Sequence, residues 1–196
     1  MLGFFTAAET LGDALLRDLA VALQAAGTPV LGMVQYSEDP EETGCDPCTM
    51  GLRFLPGGEE MLISQPLGPG ATGCRLDAGA LENAVARVSA ALDAAEAAPG
   101  GFRGVLLLNK FGRQEAQGRG CRALLARAAL SEMRVVISVP VAQRSAFAAF
   151  ADGLAIEWPA DLAALTQILH SAPEGGILGA ETGVPLPGQW PGIAET

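Results

Sequence analysis

The sequence has little lysine and histidine, and it contains no long apolar run. Lys110 is the single lysine among twelve basic residues, and His170 is the single histidine. One histidine near the end of the chain gives no support for a serine–histidine–aspartate triad. Every apolar stretch is interrupted well before the about 18 residues that cross a bilayer. Met1 is followed by neither a basic segment nor a cleavage site, so we expect a cytoplasmic protein without membrane insertion.

The net charge is strongly negative. Twenty-two acidic and twelve basic residues give a formal net charge of -10, with an isoelectric point near 4.5. A field of this sign repels polyanions, which argues against nucleic acid and anionic membranes as partners. Hydrophobic residues make up 49% of the 196, which is enough for one large core. The alanine-rich helical segments are also compatible with a homodimer.

Short apolar runs alternate with helical patterns along the chain. The runs of strand length are 1–5, 29–35, 105–108, 135–139 and 154–157, and the longer segments between them have helical periodicity. This alternation predicts an α/β fold with a mostly parallel sheet flanked by helices. Pro56-Gly57-Gly58 predicts a small β-hairpin insertion. We assign residues 1–170 to one α/β domain and the Gly- and Pro-rich residues 171–196 to an irregular tail.

The basic residues are concentrated in one part of the chain. Residues 103–144 hold eight basic and two acidic residues, a local net charge of +6. All other basic residues of the chain are arginines, so the one position that is lysine suggests a need for a compact ammonium group. This basic island predicts a compact anion site. The alternative is a set of solvated helix faces that pair with acidic neighbours.

Ligands of open parallel sheets bind beyond the carboxyl ends of the strands. The first connection there, Thr6 to Asp13, has the position of a phosphate-binding loop, but it contains only Gly12 and no lysine. Glu9 and Asp13 add negative charge, so tight triphosphate binding by this loop alone is not expected. The start of a helix still carries partial positive charge. We expect Thr10, Gly12 and Asp13 to form one wall of an anion site.

A second connection follows the buried run 105–108. Asn109 and Lys110 stand where phosphate-transfer folds place the acids that hold magnesium and position water, and neither residue suits those roles. Lys110, Arg113 and Arg119 would instead attract an anion, with Asn109 as a further candidate ligand. Arg119 lies between two glycines, where backbone can approach a ligand. The alternative is a surface turn with solvated bases.

A third connection, Gln65 to Asp77, supplies Arg75 as a further candidate anion ligand. Its Cys74 could join Cys45 and Cys48, which have the two-residue spacing of a metal or redox pair. His170 or a water molecule would then be the fourth metal ligand. A second pair with this spacing is missing, and unrelated free thiols are the alternative.

Two segments resemble a bacterial family of unknown function. Gly68 to Asp77, Gly-Pro-Gly-Ala-Thr-Gly-Cys-Arg-Leu-Asp, and Leu108 to Gly120, which begins Leu-Asn-Lys-Phe-Gly-Arg-Gln-Glu-Ala, are similar to motifs of domain-of-unknown-function family 2478. The resemblance covers residues 1–160. The order of elements is more distantly similar to that of small P-loop nucleoside-triphosphatases, which implies a P-loop NTPase-like three-layer architecture. Thr6 to Asp13 would then replace the phosphate loop.

The same resemblance bears on the ligand. Members of the family look associated with molybdenum uptake or use, which implies molybdate or tungstate as a ligand besides a nucleotide. We therefore expect a nucleotide- or oxyanion-binding accessory protein with a degenerate P-loop-like site, linked to molybdenum handling, whose partner is a small anion.

Two other functions stay open. A divergent nucleoside-triphosphatase would need Glu9, Asp13 or Glu115 to hold magnesium or orient water, and the missing phosphate loop and magnesium acids argue against efficient turnover. A thiolate metal-binding or redox protein would use the three cysteines named above.

Overall fold

The computed structural model describes residues 1–37, 49–65, 76–131 and 133–171. The strands are β1 Leu2–Ala7, β2 Val30–Ser37, β3 Met50–Leu55, β4 Glu60–Leu62, β5 Val105–Lys110, β6 Arg134–Pro140 and β7 Ala155–Glu157. The helices are α1 Glu9–Ala25, α2 Ala78–Ala97, α3 Arg113–Ala116, α4 Arg122–Ala129, α5 Arg144–Ala151 and α6 Leu162–Ser171, with a 3₁₀ turn at Val141–Gln143. Within these ranges, no helix has the length and apolar character needed to cross a membrane.

The seven strands form one sheet in the order β4-β3-β2-β5-β6-β1-β7. The pairs β2–β5, β5–β6, β6–β1 and β1–β7 are parallel, whereas β3 is antiparallel to both β2 and β4. The predicted mostly parallel α/β sheet is therefore confirmed. The predicted hairpin is also present, and its two strands extend one edge of the main sheet.

Helices cover both faces of the sheet, which gives three layers with a core on each face. In β5, Leu106 and Leu108 pack against α2, α4 and α5, while Val105 and Leu107 pack against α1 and α6. All four leucine and valine side chains are fully buried. This explains why the strand reads as an uninterrupted apolar run: in a parallel strand covered on both faces, every position lies in a core.

Two predicted loops belong to regular elements instead. Thr6 and Ala7 end β1 and Glu9 begins α1, so the predicted loop from Thr6 to Asp13 is wrong and the connection is Ala8 alone. Asn109 and Lys110 likewise lie in β5, which continues past the apolar run through a bulge against β6. Neither segment contains a residue that ends the strand or the helix. Gly12, the one glycine in the first segment, is accommodated within α1.

The segment of helical periodicity between the runs 105–108 and 135–139 is divided into two helices, α3 and α4. Gly118 and Gly120 adopt positive φ values of 87° and 58°, a left-handed conformation that interrupts a helix. The buried Glu115 carboxylate accepts hydrogen bonds from the Gly112 and Cys121 backbone N–H groups, and this holds the two short helices together. A periodicity analysis detects the apolar face common to both helices and misses the turn between them.

Parallel pairing of β2 with β5 ends at Gly32, which lies opposite Leu107. Gly32 has φ of 125°, and a Cβ atom there would lie 1.9 Å from the Leu107 carbonyl oxygen. The backbone of β2 thus turns away from β5 at a position that excludes any side chain. This opening creates space between the two strand ends, where the polar residues described below are located.

We predict that Gly32→Ala lowers the free energy of unfolding by about 3 kcal/mol or more, because it combines a backbone clash with left-handed strain. Gly57→Ala is the matched control, since no atom lies within 4 Å of a Cβ at that position. Chemical denaturation of both variants measures the difference. Equal stability of the two variants would contradict the prediction.

Candidate functional site: the carboxyl edge of the sheet

The candidate site is the carboxyl edge, defined here as the end of the sheet where β1, β2, β5 and β6 finish. These strands end at Ala7, Ser37, Lys110 and Pro140 and all run in the same direction. A phosphate-binding loop would need several residues between β1 and α1 to surround a phosphate group with backbone N–H groups. The connection of one residue, Ala8, is too short for such a loop.

Lys110 and Asp13 face each other across this edge. The Lys110 Nζ atom lies 3.3 and 3.5 Å from the two Asp13 carboxylate oxygens and 3.9 Å from Glu9 Oε2. Asp13 is 6% exposed, whereas the Lys110 side chain is 18% exposed and that of Glu9 is 70% exposed. The structure therefore brings Lys110 and Asp13 together, and their role in an anion site stays a prediction. It also places the carboxylates of Asp13 and Glu9 beside the ammonium group, at the position where an anion would bind.

Burial raises the pKa of Asp13, and the neighbouring Glu9 adds to this effect. The Lys110 ammonium and the Arg17 guanidinium act in the opposite direction, but burial has the largest effect. The ionised form of Asp13 is therefore less stable in the folded protein than in the unfolded chain.

Asn109 is a buried structural residue that bridges the two separating strands. Its Oδ1 accepts a hydrogen bond from the Gln35 backbone N–H at 3.1 Å, and its Nδ2 donates to Gln35 Oε1 at 3.1 Å. Its carbonyl oxygen accepts a hydrogen bond from Ser138 Oγ at 3.0 Å. Both polar ends of the Asn109 side chain are therefore occupied. Gln35 and Ser138 were not identified from the sequence as site residues. The signal that could have identified them is that each is a polar residue within an otherwise apolar strand.

Gly12 and Thr10 occupy the first turns of α1. Gly12 is buried, and a Cβ atom there would lie 3.2 Å from Ser138 Cβ, so glycine lets α1 pack closely on β6. Thr10 is exposed on the first turn. Gly12 thus has a packing role that follows from the fold, and its place in the predicted wall of the anion site stays a prediction.

The cations of the basic island divide into groups by partner. Carboxylates from other parts of the chain pair with Lys110, Arg127 and Arg144. Backbone carbonyl oxygens accept hydrogen bonds from Arg122 and Arg134. Arg113 and Arg119 are exposed and have no carboxylate partner within the described ranges, although Arg119 donates to Gln117 Oε1 at 3.2 Å. Much of the island's charge is therefore used in structural contacts.

Glu115 and Cys121 lie together in the core below α3. Glu115 is 4% exposed, and both of its oxygens accept backbone hydrogen bonds. Burial, together with Glu115 and Glu82, raises the pKa of the Cys121 thiol well above its ordinary value, so the thiol stays protonated. Glu115 is thus placed to hold backbone and not to orient water.

The remaining predicted ligands lie outside the described residues. These are Arg75, Cys45, Cys48 and Cys74. Within 1–37, 49–65, 76–131 and 133–171, no three histidine, cysteine or acidic side chains are grouped so that they could hold a metal ion.

We predict that Asn109→Ala lowers the free energy of unfolding by about 2–4 kcal/mol, because it leaves the Gln35 N–H and side-chain amide buried without partners. Asn83→Ala on the exposed face of α2 is the matched control and should change stability by less than about 0.5 kcal/mol. Chemical denaturation compares the two. A loss at Asn109 no larger than that at Asn83 would refute this structural role.

We predict that Asp13→Asn raises the melting temperature by a few degrees at about pH 7.5 and that the gain disappears toward about pH 4. The native pKa of Asp13 is raised, so the native state binds the proton more readily than the unfolded chain, and stability falls as pH rises through that window. Thermal melts across this pH range, with the exposed Asp18→Asn on the same helix as control, test it. A lower melting temperature at neutral pH would show that the Lys110 contact outweighs burial.

Two solved structures share this architecture, and one of them is described as a nucleoside triphosphatase. THEP1 from the hyperthermophile Aquifex aeolicus superposes with a TM-score of 0.53 at 14% identity, over 80% of this chain and 88% of that one. A human cancer-related nucleoside triphosphatase gives 0.52 at 18% identity, over 80% and 86%. At such identities the likeness establishes the fold, which is P-loop NTPase-like, as the order of elements in the sequence implied.

A curated relative is the molybdenum import ATP-binding protein ModC 2 of Bradyrhizobium diazoefficiens, which is 35% identical over 142 residues. The match covers 72% of this chain and 15% of the relative's length. A family model described as protein of unknown function (DUF2478) matches residues 4–167, most of the chain. The chain belongs to this family.

Proposed function

We propose that this chain is an accessory domain that binds a small anionic ligand, a nucleotide or an oxyanion, at the carboxyl edge without efficient hydrolysis, and that it serves molybdenum handling. The observation that carries the proposal is the state of Lys110. Its ammonium is partly exposed and lies 3.3–3.9 Å from its carboxylate partners. These long contacts leave the group able to reorient toward a ligand.

Two neighbouring arginines support anion binding at this edge. Arg113 and Arg119 follow Lys110 in the chain, are exposed, and lack carboxylate partners among the described residues. Guanidinium groups of this kind bind phosphate-like oxygens through paired N–H donors. Together with Lys110 they supply the positive charge that the acidic remainder of the chain lacks.

Among the described residues, the carboxyl edge does not provide the parts that hydrolysis requires. Phosphoryl transfer needs a phosphate cradle, a magnesium ligand and a group that orients water. The connection through Ala8 leaves no loop for a cradle, and the Asn109 amide and Glu115 carboxylate are occupied by backbone and side-chain partners. Asp13 is paired with Lys110. Binding without rapid turnover fits these residues better than catalysis.

The molybdenum part of the proposal is supported by the relative in Bradyrhizobium diazoefficiens, whose name describes molybdenum import and ATP binding. This chain corresponds to a minor part of that protein's length. The match would be explained if that part of the relative were an accessory domain similar in sequence to this chain.

We predict that the protein is stabilised in a thermal-shift series by at least one of ATP, GTP, phosphate, molybdate or tungstate. A ligand at one hundred times its dissociation constant adds about 2.7 kcal/mol, a shift of several degrees at this size. Lys110→Ala should weaken binding at least about tenfold, because it removes the central cation. Arg87→Ala on α2, which removes an equal charge from a residue paired with Glu59, is the matched control.

The result that would refute the anion site is unchanged affinity in Lys110→Ala, or no shift with any of these ligands. The melting temperature of each variant without ligand must be recorded, because Lys110→Ala also leaves Asp13 without its nearest cation. Magnesium-dependent phosphate release from ATP that disappears in Asp13→Asn would instead favour a divergent nucleoside-triphosphatase.

A further inference from the structure

The Lys110 ammonium has a carboxylate fixed on one side. Asp13 is buried on the second turn of α1, and the adjacent Gly12 packs directly on Ser138 of β6. The Glu9 side chain is largely exposed, and its nearest oxygen is 3.9 Å from Nζ. Glu9 can rotate into solvent when a ligand arrives. Asp13 is buried, so its carboxylate has no such path into solvent.

This fixed carboxylate constrains what Lys110 can bind. A ligand oxygen that accepts a hydrogen bond from Nζ lies within about 6 Å of the Asp13 carboxylate oxygens. Two unprotonated anionic oxygens that share a partly buried site repel each other. One proton between them converts the repulsion into a charge-assisted hydrogen bond.

We propose that Asp13 is the specificity-determining residue of the anion site, which accepts oxyanions that carry a proton, such as hydrogen phosphate, and rejects fully deprotonated dianions such as sulfate and molybdate. This inference rests on the anion-binding function proposed above and narrows its ligand: at neutral pH the site takes inorganic phosphate, and a part in molybdenum handling is then not the binding of molybdate at Lys110. One oxygen of the bound phosphate accepts a hydrogen bond from Lys110 while its hydroxyl group donates to Asp13. A phosphate monoester keeps this proton only near or below its second pKa of about 6, whereas inorganic phosphate keeps one throughout the neutral range.

The charges that face Asp13 agree with this selectivity. Lys110 from β5 and Arg17 from α1 attract its carboxylate, Glu9 from α1 repels it, and β6 presents the neutral Ser138. Burial raises the pKa of Asp13, so its carboxylate is a strong hydrogen-bond acceptor for a ligand hydroxyl group.

The test is isothermal titration at about pH 7.5 and constant ionic strength with inorganic phosphate, sulfate and molybdate. The wild-type protein should bind phosphate at least about tenfold more tightly than sulfate or molybdate. In Asp13→Asn, the three affinities should fall within about threefold of one another, because the amide can donate to a deprotonated oxygen. Glu9→Gln is the matched control. It removes the same charge from the same helix, and it should keep the wild-type ratio.

Equal affinities in the wild-type protein, or an undiminished ratio in Asp13→Asn, would overturn the role of Asp13 while the anion-binding function stands. Absence of binding for all three anions in the wild-type protein and in Asp13→Asn would overturn the selectivity and the oxyanion part of the proposed function; the thermal-shift series with ATP and GTP decides nucleotide binding. If Asp13→Asn fails to give a cooperative melt, Asp13→Ser replaces it. The wild-type comparison of the three anions decides the selectivity without any variant.

Discussion

The first turns of α1 lie so close to β6 that a Cβ atom at position 12 would be only 3.2 Å from Ser138 Cβ. A Cβ on Gly12 would contact Ser138, and this approach leaves only Ala8 to connect β1 with the helix. The same approach carries Asp13 to the end of β5, where it meets Lys110. The missing phosphate loop and the internal ion pair are therefore two results of one packing constraint. In this fold, the space that a loop would use to surround phosphates is taken by the helix itself.

Among the described residues of this acidic chain, few basic side chains lack a partner within the protein. Most basic residues of the island are held by carboxylates or by backbone carbonyls, as Arg127 is held by Asp93 and Glu96. These contacts are exposed and contribute little to stability individually. Their consequence is electrostatic: among the described residues, Arg113 and Arg119 have no carboxylate partner, and the partly exposed Lys110 has only long contacts to Asp13 and Glu9. An anion that binds Lys110 must compete with Asp13, which is the basis of the proposed selectivity by protonation.

Sequence patterns predicted the elements and misjudged their ends. The run from Val105 to Leu108 was identified as a buried strand because every residue is apolar, yet β5 continues through Asn109 and Lys110. The extension depends on hydrogen bonds from Gln35 and Ser138, two residues far away in the chain, so no local pattern could show it. The split between α3 and α4 has local causes instead: Gly118 and Gly120 adopt positive φ values, and Glu115 accepts hydrogen bonds from backbone N–H groups three and six residues away. Candidate site residues were identified by residue type and by their position after a strand. These criteria do not reveal whether a side chain already has a hydrogen-bond or ion-pair partner in the folded protein.

The sequence by itself determined the α/β class, the parallel strands buried on both faces, and the absence of a lysine and glycines where a phosphate loop would stand, because these depend on residue type and local period. It also identified Lys110 as unusual. Only the tertiary structure decided that Asn109 is a bridge between β2 and β5 and that Asp13 stands beside Lys110. It also decided that most of the basic island is paired. These outcomes depend on distances between residues as far apart as 13 and 110, and those distances are set by how the helices pack on the sheet.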